Sequence, residues 1–156
     1  VLVGQFEIPM NVNEQVFSYA YKNGVETVLN PAPANKPSDI LLQNTSWFIP
    51  NEIEFEEIYG DTFNENNLLL FAKNVDTNVV VTLGEKGCAY IKNNSVKIMK
   101  ADSVKAVDTT GAGDAFVGAF SFALASKLDI EECLKLALKK ATDSVTKKGT
   151  QSSYKN

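Results

Sequence analysis

The chain contains neither arginine nor histidine: all 15 of its basic residues are lysine, set against 19 acidic ones. Without imidazole there is no Ser-His-Asp or Cys-His nucleophile, no histidine base and no imidazole metal site. Without guanidinium there is no bidentate clamp on phosphate. Cysteine is almost as scarce. Cys88 and Cys133 are the only two; they cannot build a disulfide framework, nor complete a four-ligand zinc site without histidine. That usage fits a reduced, intracellular protein, and a cytoplasmic location is the expectation. The net charge of −4 lacks the basic patch that announces a nucleic-acid surface. No apolar run approaches the roughly 18 residues needed to span a bilayer, so neither nucleic acid nor membrane is expected as a partner. Any chemistry has to run on carboxylates, hydroxyls, backbone amides and ammonium groups.

What is present is a chain of 156 residues, 44% of them hydrophobic, enough for one globular domain with its own core. It opens at Val1 rather than Met, which raises the expectation of a fragment and leaves any targeting signal unread. Apolar runs and turn signals predict strands over residues 1–5, 26–30, 47–49 and 78–83, the last around three consecutive valines. Helical periods cover residues 13–22, 51–59 and 64–74. A hairpin is expected over residues 88–92 and 95–100 around Asn93-Asn94. Two long helices follow over residues 112–126 and 130–146, with Gly149 as a stop. This order implies a single α/β layered domain over residues 1–156, with a mostly parallel sheet flanked by helices. In such sheets ligands sit at the carboxyl ends of the strands.

The most informative stretch is Val107-Asp108-Thr109-Thr110-Gly111-Ala112-Gly113-Asp114-Ala115-Phe116, which leads directly into a helix. Gly111 and Gly113 let the backbone turn sharply and approach a ligand, while the first helical amides are unpaired donors at the positive end of the dipole. Such an anion cradle needs no arginine. Asp114 in the same turn can accept the proton of a hydroxyl as it attacks phosphorus. A bare GxGD also reads as a glycine-rich helix start with a first-turn charge. A dinucleotide fingerprint fails, because Phe116 stands where close packing needs a small residue. On local grounds alone, Asn51 and Glu54 read as a capping box, Glu7 as a solvated strand end, and residues 82–87 as a turn after a strand.

Taken whole, residues 108–116 resemble the signature of the ribokinase-like PfkB family of carbohydrate kinases. Gln5-Phe6-Glu7-Ile8-Pro9, Leu29-Asn30-Pro31-Ala32-Pro33-Ala34, Pro50-Asn51-Glu52-Ile53-Glu54, Thr82-Leu83-Gly84-Glu85-Lys86-Gly87 and Val145-Thr146-Lys147-Lys148-Gly149-Thr150-Gln151-Ser152-Ser153 resemble further family segments, in the family's order. The resemblance covers essentially the whole chain and implies a ribokinase-like fold. It also implies transfer of the ATP γ-phosphoryl group to the 5-hydroxyl of ribose, with ATP, Mg²⁺ and K⁺ as cofactors. Another sugar or nucleoside kinase of the family, such as a fructokinase or an adenosine kinase-like enzyme, is the nearest alternative. A non-catalytic nucleotide-binding module is the alternative from a different class.

By the same resemblance, Asp114 is the catalytic base and a sugar contact, and Gly111, Ala112 and Gly113 form the anion hole. Asn51 and Glu54 match an NxxE motif associated with Mg²⁺ and phosphate, and their spacing allows a hydrated ion to be held through its waters. Thr82, Leu83, Gly84, Glu85, Lys86 and Gly87 match the nucleotide loop, with Asn51 and Gly113 as further nucleotide contacts. Glu7 matches a carboxylate that holds sugar hydroxyls. Asp108, Thr110, Ser144, Lys147, Gly149 and Ser153 match potassium ligands, mainly through carbonyls, the hard oxygen donors such an ion takes. Leu138, Lys139 and Lys140 stand where many members have Asn or His near the adenine. The matched segments belong to the carboxyl-terminal half of the family's chain. The sugar motif and the β lid that closes the site and makes a homodimer lie in the other half, so these residues alone are expected to be nearly inactive.

Overall fold

Val79, Val80 and Val81 are all buried, a continuous run rather than an alternation, as expected of a strand covered on both faces inside a parallel sheet. The computed structural model that contains them describes residues 1–150 and 152–154. Its elements run β1 Leu2–Gly4, α1 Met10–Lys22, β2 Thr27–Leu29, α2 Asp39–Gln43, β3 Trp47–Phe48, α3 Glu52–Tyr59, α4 Glu65–Val75 and β4 Asn78–Thr82. A 3₁₀ turn at Gly84–Lys86 follows, then β5 Cys88–Lys92, β6 Ser95–Met99, α5 Ala112–Ala125 and α6 Ile130–Val145. The six strands lie in one sheet in chain order. From β1 to β4 the pairing is parallel, with Val3 opposite Val28, Leu29 opposite Phe48, and Phe48 opposite Val79. The expected α/β architecture with a mostly parallel sheet is therefore present. Between β5 and β6, Asn93 and Asn94 both take positive φ, 51° and 56°, the backbone that a two-residue hairpin turn requires.

Every predicted element appears, with ends displaced by a few residues. α1 shows the largest displacement, starting at Met10 rather than Asn13. Asn13 is 2% exposed and its Nδ2 donates to the Gln5 carbonyl at 2.8 Å, so its amide serves a tertiary bond instead of a cap. Helix α2 is an addition that five residues are too few to announce by period. Its start is marked by Ser38, whose hydroxyl accepts from the Leu41 amide at 3.2 Å.

The chain forms two compact units, one of residues 1–82 and 89–98, the other of residues 83–88 and the chain from residue 99 onward. Within the first, α1 packs on β1 and β2, and α3 and α4 pack on β4. Phe48, Phe55 and Phe71 meet there, with Phe71 5.5 Å from each of the other two rings. Such pairs contribute about 0.5–1.5 kcal/mol each beyond their burial. In the second unit α5 packs on α6. Phe116, Phe120 and Ala123 are buried on one, and Cys133, Leu134, Ala137 and Leu138 on the other, at the spacing of one helical face.

Candidate active site

In the first unit the candidate residues gather at the carboxyl ends of the parallel strands, and one side chain ties three of those ends together. Asn30, just past β2, donates its backbone N–H to the Gly4 carbonyl at 3.0 Å. Its Nδ2 donates to the Ile49 carbonyl at 2.8 Å, and its Oδ1 accepts from Gln5 Nε2 at 2.9 Å. A buried amide satisfied this fully rigidifies its surroundings. The segment that carries Glu7 thus leaves the sheet from a pinned base, and Glu7 itself is exposed. Asn30 lay inside a recognised turn motif, but nothing local marked it as the tie.

The start of α3 lies against the end of β4. Asn51 bridges Thr82, and the Thr82 N–H donates to the Pro50 carbonyl at 3.0 Å. Asn51 Oδ1 accepts from the Glu54 amide at 2.8 Å, while Glu54 Oε2 accepts from the Asn51 amide at 2.7 Å. The capping box read from the sequence is therefore formed. Glu54 is 8% exposed, and burial pushes its carboxyl above the ordinary value. The bond from Asn51 works against that shift, and the Glu57 charge adds to it. Asn51 and Glu54 carry the amide and carboxylate oxygens that a hydrated hard cation takes, one oxygen of each being engaged in the cap.

In the second unit residues 83–87 close into a tight loop. The Leu83 N–H donates to the Gly87 carbonyl at 2.8 Å, and the Gly87 N–H to the Gly84 carbonyl at 3.1 Å. Gly87 has φ 104°, and a Cβ there would run into the Met99 carbonyl, so the loop needs glycine at this point. Leu83 is buried, while Gly84, Glu85 and Lys86 are exposed.

The second unit also joins the turn before α5 to the segment after α6. The Val145 carbonyl accepts from the N–H groups of Val107 at 2.7 Å and Asp108 at 3.2 Å. Asp108 spans the junction: Oδ1 accepts from the Thr110 amide and Oδ2 from the Gly149 amide, each at 3.0 Å. The Thr110 amide bond, with lesser help from the Thr110 hydroxyl and the Gly149 amide, holds the Asp108 carboxyl below its ordinary value. Ser144 and Ser153 are both buried. The Lys147 amide donates to the Ser144 carbonyl at 3.2 Å, and Lys147 Nζ reaches the Ser153 carbonyl at 3.4 Å. The six residues thus form two hydrogen-bonded groups, Asp108 with Thr110 and Gly149, and Lys147 with Ser144 and Ser153. Among the described residues no cluster of three or more acidic, histidine or cysteine side chains could hold a metal, so an ion here would rely on carbonyl and hydroxyl oxygens. Gln151, within the same matched segment, lies outside the described residues. Leu138 is buried in α6.

Helix α5 begins differently from its neighbours. Side chains of Ser38, Asn51, Asn64 and Asp129 cap α2, α3, α4 and α6, while α1 and α5 have no side-chain cap, and α5 alone of these helices starts on a glycine, Gly111, in the left-handed region at φ 79°. In its first turn, at the positive end of the helix, the Ala112 amide donates to the Thr109 carbonyl at 3.3 Å. Asp114 is exposed in that turn. Around Gly113 an added Cβ would meet nothing within 4 Å. The Gly111 carbonyl is itself engaged, accepting the Ala115 N–H at 2.9 Å and the Tyr154 hydroxyl at 2.7 Å. Tyr154, like Asn30, is a residue whose contact sequence reasoning did not single out.

Among the described residues no helix is long and apolar enough to cross a membrane. Curated relatives include a deoxyribokinase from Salmonella typhi, 37% identical over 99% of this chain, and a ribokinase from Haemophilus influenzae, 40% identical over 97% of it. The chain spans about half the length of these relatives, 52% and 51%. Among solved structures, ribokinase from Thermotoga maritima superimposes with a TM-score of 0.86 at 32% identity, over 97% of this chain and 52% of that one. Arabidopsis thaliana ribokinase complexed with ribose and ATP gives 0.88 at 30% identity, over 97% and 51%. The profile of the pfkB family of carbohydrate kinases matches residues 4–156, and the chain belongs to that family.

Proposed function

We propose that this chain is the nucleotide-binding and catalytic part of a kinase that moves the γ-phosphoryl group of ATP onto the 5-hydroxyl of ribose. The observation that carries the reading is the start of α5, where glycine-flanked amides left without a side-chain cap stand beside the carboxylate of Asp114. The sugar oxygen forms a bond to the γ-phosphorus as the bond to the β,γ-bridging oxygen breaks. ADP leaves with that electron pair, and the hydroxyl proton passes to Asp114. Amides of the turn Gly111, Ala112 and Gly113 meet the charge that develops on the phosphoryl oxygens, which replaces the missing arginine. Glu7 holds sugar hydroxyls, while Asn51 and the loop from Thr82 to Gly87 take the nucleotide.

Asn51 and Glu54 would hold Mg²⁺ through water, and Asp108, Thr110, Ser144, Lys147, Gly149 and Ser153 would hold K⁺. Mg²⁺ would supply neutralising charge on the phosphates, and K⁺ would add positive potential beneath the turn. The working enzyme is further proposed to be a cytoplasmic homodimer. A second reading, 2-deoxyribose as the acceptor, is favoured by the similarity to a deoxyribokinase.

The test is a coupled ADP-release assay on the complete reading frame that encodes these residues, offered ribose, 2-deoxyribose, fructose or adenosine. Ribose should be turned over, and Asp114→Ala should lower kcat by about 10²–10⁴. Turnover that survives that substitution removes the base, and turnover of none of the four acceptors removes the kinase reading.

A further inference from the structure

We propose that Tyr154 is a positioning residue for phosphoryl transfer: its hydroxyl, donating to the Gly111 carbonyl at 2.7 Å, locks the peptide plane that opens α5. The inference rests on reading residues 111–114 as the anion hole and base. The Gly111 carbonyl and the Ala112 amide belong to one planar peptide unit, so fixing the oxygen also fixes the N–H on its opposite side, which donates to the Thr109 carbonyl at 3.3 Å and closes the turn ahead of Gly113 and Asp114. Glycine at φ 79° supplies the left-handed backbone that this turn requires. Two donors, Tyr154 Oη and the Ala115 N–H, occupy both lone pairs of the carbonyl oxygen.

Several contacts show that this bond is built rather than incidental. It joins residues 43 positions apart in the chain. A Cβ at position 111 would strike both the Tyr154 hydroxyl and the Thr150 side chain, so the approach depends on glycine. The loop that carries the ring is itself tied down. Gly149 donates to Asp108, the Ser153 amide donates to the Thr150 carbonyl at 3.0 Å, and Lys147 Nζ reaches the Ser153 carbonyl. Tyr154 therefore transmits the position of that loop to the first turn of α5. Partial burial, and after it the charge of Asp114, raise the phenol above its ordinary value.

The test compares wild type, Tyr154→Phe, Tyr154→Leu and Asp114→Ala in the complete reading frame. Both Tyr154 variants should lose kcat by about tenfold, the scale of one well-placed hydrogen bond, with KM for sugar and MgATP changed by less than about twofold. MgADP with aluminium fluoride, a mimic of the transferring phosphoryl group, should bind the Phe variant about tenfold more weakly, while MgADP alone binds as in wild type. Wild-type kcat in Tyr154→Phe overturns the inference, as does an equal loss of affinity for MgADP with and without fluoride. If Asp114→Ala abolishes turnover and Tyr154→Phe does not lower it, only the Tyr154 assignment fails. If Asp114→Ala leaves turnover intact, the reading of the whole turn fails and the inference falls with it.

Discussion

Replacing Gly113 with alanine should make the protein more stable and much less active. Gly113 is the second residue of α5, its φ lies outside the positive region, and the space where a Cβ would stand is open for 4 Å. Alanine is favoured over glycine in a helix by about 0.5–1 kcal/mol, with no collision here to offset the gain. For a chain of this size that corresponds to a rise in Tm of about 1–4 °C. On the proposed reading, the same open space admits a phosphoryl oxygen to the amides of the turn. A methyl group there holds the anion away, and losing one such donor costs about 10²–10³ in kcat. Urea unfolding and the coupled assay measure the two effects on one preparation. Wild-type kcat in Gly113→Ala would show that no anion approaches this residue, and the anion-hole assignment would go with it. Gly111→Ala is the contrasting control. Its positive φ costs a non-glycine residue about 1–2 kcal/mol, and the new Cβ meets Tyr154, so stability and activity should fall together.

Three further outcomes are expected. Cys88 has no exposed surface, and burial pushes its thiol from 9.0 up to about 12. At pH 8 its thiolate fraction is thus about a thousandth of that of an ordinary thiol, and a disulfide reagent should label it only as fast as the chain unfolds. Because the folded value is raised, the stability this thiol contributes is intact below pH 9 and declines as pH climbs above it; rapid native labelling contradicts both points. The buried Ser121 hydroxyl has no hydrogen-bond partner among the described residues, so Ser121→Ala should raise unfolding stability by about 1 kcal/mol, and a loss of that size would mean the hydroxyl is satisfied. Exchanging K⁺ for Na⁺ at fixed MgATP should lower turnover, and Asp108→Ala should erase the difference between the ions; a rate indifferent to the ion removes the site.

What could be read from the letters was local, and what escaped was held by partners far along the chain. Three valines in a row announce a buried strand, and Asn followed by Glu three positions later announces a cap, because both signals lie within one turn or one run. Asn13 carries the same capping chemistry, yet its amide is drawn to the Gln5 carbonyl, and α1 starts elsewhere. Asn30 looks like a turn residue until its partners Gln5 and Ile49, 25 and 19 positions away, are known. The residue types proposed to carry chemistry, Asp114 and the two glycines before it, stand out by their spacing ahead of a helix. The groups that aim them were not, since Asp108 acts on the amide of Gly149 and Tyr154 on the carbonyl of Gly111, and no residue letter encodes a backbone atom's partner. A chain without arginine or histidine places this limit at its centre. When phosphate is to be met by backbone amides, the deciding contacts are those that orient peptide planes, and they become visible only once the fold has brought distant segments together.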